Sequence, residues 1–164
     1  MRERDFDRLY CEHAQDLFAF LAYRTGDRTL AEDLLADTFE RALTARRGYD
    51  RRRGSEKSWL YAIALNLARD QWRRSGAEAR ALERETVAVA AGAGAAPDPF
   101  AGVAVRDELA PALAALSDEE REAVALRFGA ELTVPEIAEL LGEKLTTVEG
   151  RVYRALRKLR DALS

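Results

Sequence analysis

The chain has 164 residues, enough for one ordinary domain or two small ones, and its 48% apolar content excludes wholesale disorder. Its start, "MRERDFDRLY", is charged throughout, and no window approaches the ~18 apolar residues of a membrane span, so neither a signal peptide nor membrane insertion is expected. The net charge of −3 is unevenly spread: residues 1–40 carry −5, 41–74 carry +7, 75–143 carry −9 and 144–164 carry +4. Two basic zones among acidic ones allow two nucleic-acid contacts beside contacts with a protein partner.

Over 6–24, Phe6, Leu9, Phe18 and Leu21 recur at helical spacing, and "TGD" at 25–27 reads as a turn. A second helix is predicted over 30–43, with Leu34, Leu35, Phe39, Ala42 and Leu43. Gly48 and Gly54 then break the pattern inside the first basic loop, "RRGYDRRRGSE". A third helix follows over 58–74, where Trp59, Ile63, Asn66, Leu67 and Asp70 fall at steps of three or four. The helical stretch "EARALERET" leads into "AVAAGAGAAPDP" at 88–99, which has too little apolar bulk to pack firmly and is the best linker. The expected architecture is all-α, with two small helical domains at 1–76 and 105–164 joined by a flexible linker at 77–104. Each domain is near the lower size limit for an independent core, so docking on a larger partner would help it.

The second domain opens with Ser117 as N-cap and Asp118, Glu119 and Glu120 in the first turn; Gly129 is the expected C-cap of that helix. Thr133 and Glu136 form a predicted capping box with Pro135 in the first turn, and Gly142 stops the short helix. A second box, Thr146 with Glu149, is expected to start the last helix, which runs to about Leu159. Helix, a four-residue turn with glycine, then helix is a helix-turn-helix signature. Ile137, Leu141, Leu145, Val148, Val152 and Leu156 are its expected core. An αα-hairpin that binds nothing has the same periodicity, so spacing alone leaves both readings open.

No catalytic chemistry is legible. His13 and Cys11 are the sole histidine and cysteine, a pair well short of the four ligands of a structural zinc. A triad would need His13, and nothing near it resembles a nucleophile elbow. "AGAG" belongs to the linker and is no phosphate loop. No enzyme activity, metal or cofactor is therefore expected, and the single cysteine suits a reducing cytosol.

"AEDLLADTFERAL" at 31–43, "SWLYAIALNLARDQWRR" at 58–74 and the block from "LSDEEREAVALRF" to "VYRALRKLR" at 116–160 resemble, in this order, three blocks of the sigma-70 family. Small size and a short linker resemble its extracytoplasmic-function (ECF) subfamily, which keeps only the second and fourth conserved regions. The resemblance implies a dissociable subunit of bacterial RNA polymerase that directs initiation at promoters through their −10 and −35 elements. It also implies a cytoplasmic protein whose partners are core polymerase, promoter DNA and an anti-sigma factor.

The first block is similar to the helix that docks on the polymerase clamp, which assigns that role to Asp33, Leu34, Asp37 and Phe39; Ala36 stands where the family often has glutamine. Leu34 and Phe39 also read as local core. The second block resembles the segment that melts and reads the −10 element. That assigns Arg46, Arg47, Tyr49, Arg51, Arg52 and Arg53 of the loop, and Asn66, Arg69, Asp70, Arg73 and Arg74 of the helix, to the displaced strand. Such a site needs cations for phosphates and flat or polar groups around an unstacked base. Trp59 reads as core before stacking platform. The third block resembles the −35 reader, which places Lys144, Thr146, Thr147, Glu149, Arg151, Arg154, Arg157 and Lys158 at the major groove.

Glu149-Gly150 departs from the lysine-serine pair frequent there. Glu149 reads as a capping anion or as an acceptor for a cytosine amine, and Gly150 weakens the helix by about 1 kcal/mol against alanine. Two other functions compete. One is a helix-turn-helix regulator acting without polymerase, which leaves the first basic zone unexplained. The other is a degenerate, sigma-like protein-binding adaptor, which Glu149-Gly150 favours.

Overall fold

The computed structural model describes the backbone of residues 1–82 and 109–164 and the side chains of 1–74 and 111–164. Most of the expected linker, including 88–99, lies outside the described residues. All regular structure among the described residues is helical. The first block holds α1 (Glu3–Thr25), α2 (Arg28–Ala45) and α3 (Glu56–Leu82), with a 3-10 turn at Arg46–Gly48. The second holds α4 (Leu109–Ala114), α5 (Asp118–Val124), α6 (Val134–Leu141) and α7 (Leu145–Leu163), with a π turn at Ala125–Gly129 after α5.

Local chemistry sets the corners. Gly26 takes the left-handed conformation (φ 68°) that ends α1 at no Cβ penalty, and the Asp27 carboxylate accepts the Leu30 N–H at 3.2 Å to start α2. Ser117–Glu120 and Thr133–Glu136 both form complete capping boxes, and Gly142 (φ 66°) ends α6. α3 continues past the expected end at 74 to Leu82.

Three expectations are corrected. Thr146 and Glu149 do not cap α7: Lys144 is the N-cap, its carbonyl accepts the N–H groups of Thr147 and Val148 at 3.1 and 3.2 Å, and Thr146 is already helical. The tight turn after Gly142 brings the chain into the helix too early for that box. Gly129 is not a C-cap: it closes the π turn, followed by Ala130 in the right-handed helical region. Leu145 and Leu156 are not core; they are 44% and 43% exposed, whereas Ile137 and Val148 are fully buried and Val152 nearly so.

The two blocks share one core. A contiguous apolar cluster runs from Leu9, Phe18 and Phe20 in α1 through Leu60 and Tyr61 in α3 to Leu126, Ile137 and Val148 of the second block. A smaller cluster joins Leu113, Leu116 and Val124 to Ala155 of α7. Two sequences each marginal for an independent core thus bury apolar surface against each other. The close approach is made at Gly129, where a Cβ would sit 2.8 Å from Phe20 Cα and 2.9 Å from Phe20 N.

Candidate polymerase and promoter interface

Helical periodicity splits the four α2 residues assigned to polymerase. Leu34 and Phe39 are 4% and 6% exposed; the Phe39 ring packs on Phe6 and Tyr10, with centroids 6.1 and 4.7 Å away. Their side chains are core in this structure and unavailable for docking. Asp33 and Asp37 lie on the outer face, beside exposed Glu40, Arg41 and Leu43, which the sequence reading missed. Their signal was present: from Asp33, residues at steps of three and four reach Asp37, Glu40 and Arg41 on one helix face.

That face continues into a groove of about 590 Å³ between α2 and α3, lined by Asp37, Arg41, Asn66 and Arg74 among others. Residues expected to touch polymerase and residues expected to touch DNA therefore meet along one channel. Asn66 is exposed.

The basic loop is ordered by its own backbone. The Arg46 guanidinium donates to the Leu43 carbonyl at 2.9 Å, a cation at the C-terminus of α2 where the helix dipole favours it. The Asp50 carboxylate and carbonyl accept the N–H groups of Arg52 (2.9 Å) and Arg53 (3.0 Å), which leaves Arg47, Arg51, Arg52 and Arg53 projecting into solvent. The Tyr49 hydroxyl donates to the Gly54 carbonyl at 3.0 Å, and its ring lies 5.2 Å from Trp59. Burial and nearby Glu56 push the Tyr49 phenol up from its ordinary value. Trp59 is half-buried, packing on the core and on Tyr49 at once. Tyr49 and Trp59 border a cavity of about 610 Å³ whose other wall is Glu136, Glu139 and Leu140 of α6.

On α3, Arg69 is engaged. Its Nε and Nη2 donate to the two carboxylate oxygens of Glu122 in α5, at 3.1 and 3.0 Å. Glu122 also lies 3.8 Å from the Nε of Arg24, which is 4% exposed. The hydrogen bond to Glu122 raises the Arg69 guanidinium, whereas burial pulls Arg24 down despite the same carboxylate. Trp72 sits beneath both Arg24 and Arg121, 5.5 and 5.6 Å from its ring centroid. Asp70 holds Arg73 at 3.5 Å, and Arg74 is exposed.

On α7, Lys144, Thr146, Thr147, Glu149, Arg154, Arg157 and Lys158 are all exposed. Arg151 is not: its side chain is 14% exposed and bound to Glu143 at 2.6 Å, which makes it a tie between α7 and the preceding turn. Lys158 pairs with Glu120 at 2.8 Å, with Arg154 3.9 Å from the same carboxylate. Burial would raise Glu120, but Lys158, the Ser117 backbone and Arg154 together hold it below the ordinary glutamate value. Gly150 leaves room for Arg154 to fold back along the helix: a Cβ there would lie 3.1 Å from its Nη1. Among the described residues, no cluster of three or more His, Cys, Asp or Glu could hold a metal ion, and no helix is long and apolar enough to cross a membrane.

Comparison with known proteins identifies the family. Family profiles match twice: Sigma-70 region 2 over residues 9–78 and Sigma-70, region 4 over residues 106–159. The RNA polymerase sigma factor CarQ of Myxococcus xanthus is 35% identical over 96% of this chain and 88% of its own length. The ECF RNA polymerase sigma factor SigE of Mycolicibacterium smegmatis is 35% identical over 97% of this chain, and BldN of Streptomyces coelicolor 29% over 94%. The chain spans 62% and 58% of those two longer relatives. In three dimensions it is similar to the sigma factor RpoE of Bartonella quintana, solved with the anti-sigma factor NepR: TM-score 0.77 and 25% identity over 98% of this chain and 97% of that one. CnrH, solved with the cytosolic domain of CnrY, gives TM-score 0.70 and 27% identity over 99% of this chain and 89% of that one. With both conserved regions in order and relatives such as CarQ matched over most of their own length, the chain belongs to the ECF subfamily of sigma-70 RNA polymerase sigma factors.

Proposed function

We propose that this chain binds core RNA polymerase and directs it to promoters, with its first block at the clamp and the −10 element and its second at −35 duplex. The observation that carries the reading is the pairing of two cationic surfaces with the two sigma regions. Exposed Arg47, Arg51, Arg52 and Arg53 belong to the loop that carries Tyr49, with Arg53 on the wall of the Tyr49–Trp59 cavity, in one, and exposed Arg154, Arg157 and Lys158 line α7 in the other. Cations of this kind hold phosphates, and an aromatic-walled cavity suits an unstacked base. Asp33 and Asp37, with Glu40 and Arg41 beside them, form the surface offered to polymerase. Arg46 and Arg151 support these surfaces through Leu43 and Glu143, and Thr146, Thr147 and Glu149 face the groove from the first turns of α7.

Each weak site raises the effective concentration of the other once polymerase holds both. The chain supplies recognition; nucleotide transfer and its metal ions belong to polymerase. An anti-sigma factor is the regulatory partner this reading calls for, as RpoE was solved with the anti-sigma factor NepR. A chain that acts on bacterial polymerase in this way works in the cytoplasm. Transcription in vitro with purified core polymerase and a promoter library tests the proposal. Promoter-dependent initiation that falls on Arg154→Ala/Arg157→Ala supports it. Duplex binding without any effect on polymerase would replace it by the regulator reading, and polymerase binding without initiation by the adaptor reading.

A further inference from the structure

We propose that Glu120 is a specificity-determining residue of the −35 surface: its carboxylate holds Lys158 and Arg154 back from DNA phosphates, so that α7 grips duplex of arbitrary sequence less tightly than its cations would allow. The proposal rests on the assignment of α7 to promoter DNA. Glu120 itself touches no DNA; it acts through the two cations.

The cations of α7 are unequally free. Helical period separates an outer face, with Thr146, Gly150 and Arg157, from a flank turned to α5, with Arg151, Arg154 and Lys158. The three cations of that flank each meet an acid from outside α7. Arg151 binds Glu143 at 2.6 Å and lies 3.9 Å from Glu119. Lys158 donates to both oxygens of Glu120 at 3.1 and 2.8 Å, and Arg154 Nε lies 3.9 Å from the same carboxylate. Arg157, on the outer face, has no ion pair with any described residue.

Glu120 is fixed by the fold. It is 6% exposed, its carboxylate accepts the Ser117 N–H at 3.1 Å, and its own N–H donates to the Ser117 hydroxyl at 3.2 Å, closing the capping box of α5. A carboxylate held this way is a permanent counter-ion, unlike a surface pair in which both side chains must be ordered. Burial would raise its carboxyl, but Lys158, the Ser117 backbone and Arg154 outweigh burial, so it stays charged at neutral pH. Gly150 completes the arrangement: the tip of Arg154 lies along the helix, its Nη1 3.1 Å from where a Cβ would stand. Arg154 is thereby spread between Glu120 and Gly150. Phosphate attraction is blind to sequence, whereas base contacts are not. Damping it leaves a larger share of binding to Thr146, Thr147 and Glu149 in the first turns of α7.

The test compares the full chain with Glu120→Gln, which removes the charge and keeps the capping box, because glutamine accepts the Ser117 N–H as glutamate does. Anisotropy of a fluorescent random-sequence duplex, titrated at several salt concentrations, gives the affinity and its salt slope. The variant is expected to bind more tightly, with a log–log slope steeper by about 0.9 for each phosphate gained, hence by about 1–2 for two freed cations. This gain should vanish in an Arg154→Ala/Lys158→Ala background. With core polymerase present, the preference for a selected −35 element over a scrambled one should fall. Ser117→Ala, which loosens the cap and keeps the charge, should lower Tm and leave the slope unchanged. A slope that is unchanged or shallower in Glu120→Gln overturns the proposal, as does a matching slope change in Ser117→Ala. An undiminished −35 preference overturns the role in specificity. Arg157→Ala separates this proposal from the function it rests on. If it reduces the native slope while Glu120→Gln does not steepen it, α7 meets DNA and only the role of Glu120 falls. If neither substitution moves the slope, α7 does not meet DNA and the −35 assignment falls too.

Discussion

Replacing Tyr61 by phenylalanine is expected to stabilise this protein, although tyrosine is a fully buried core residue. The ring is enclosed and meets Phe20 edge-on, centroid to centroid 5.8 Å, while its hydroxyl has no hydrogen-bond partner. Taking a hydroxyl out of water without a partner costs about 1–3 kcal/mol in mutational data. Removing the oxygen forfeits its dispersion contacts at about 0.1–0.2 kcal/mol each, which totals less than about 1 kcal/mol for a handful of neighbours. The balance is a gain near 1 kcal/mol, or about 2–4 °C in Tm for a chain of this size. Burial pushes the phenol well above its ordinary value, so it stays neutral and the gain should not vary across neutral pH. Urea unfolding of both proteins measures it: the midpoint should rise at unchanged slope. A loss of 1 kcal/mol or so would refute the reasoning, because it would mean that the hydroxyl is satisfied in solution.

Other substitutions separate core from surface and structure from recognition. Phe39→Ala should cost about 3–5 kcal/mol in denaturant melts, whereas Asp33→Lys/Asp37→Lys should leave stability within about 0.5 kcal/mol per site and weaken core-polymerase binding in a pull-down titration. Equal loss of stability from both would contradict their placement. Gly150→Ala should stabilise α7 by up to about 1 kcal/mol, since its Cβ meets only the movable end of Arg154. If Gly150 positions Arg154, its effect on −35 preference should vanish in an Arg154→Ala background, as read by promoter selection. The carboxyl of Glu120 is held below its ordinary value, so its contribution is present at pH above the unfolded-state pKa and is lost as pH falls through the folded one. Acid titration followed by hydrogen exchange in α7 should show this loss, and Glu120→Gln should remove it.

Much of the architecture is local and therefore legible in one dimension. The corner at Gly26–Asp27, the capping boxes at Ser117 and Thr133 and the stop at Gly142 each depend on residues within three or four positions. The exposed arginines of the basic loop and the cationic face of α7 follow from composition and helical period. Thr146–Glu149 shows where local reading fails. Its spacing suits a box, but the helix starts at Leu145, because the length of the turn after Gly142 decides which residue is the N-cap. Leu34 and Phe39 show a second limit. Apolar side chains on a helix satisfy either a core or a docking surface, and only tertiary packing selects the core, for Phe39 through Phe6 and Tyr10.

What the sequence determined by itself is the helical content, its local start and stop signals, the two cationic zones and the family, because these rest on short-range spacing and ordered motifs. What the tertiary structure decided is which of those groups are free. Arg69 and Glu122 are 53 positions apart, and Gly129 is pressed against Phe20 across the seam between blocks. Neither pairing leaves a periodic trace. A salt bridge or a backbone contact between distant segments is chosen by how two apolar faces pack, and only the packed chain brings their partners together.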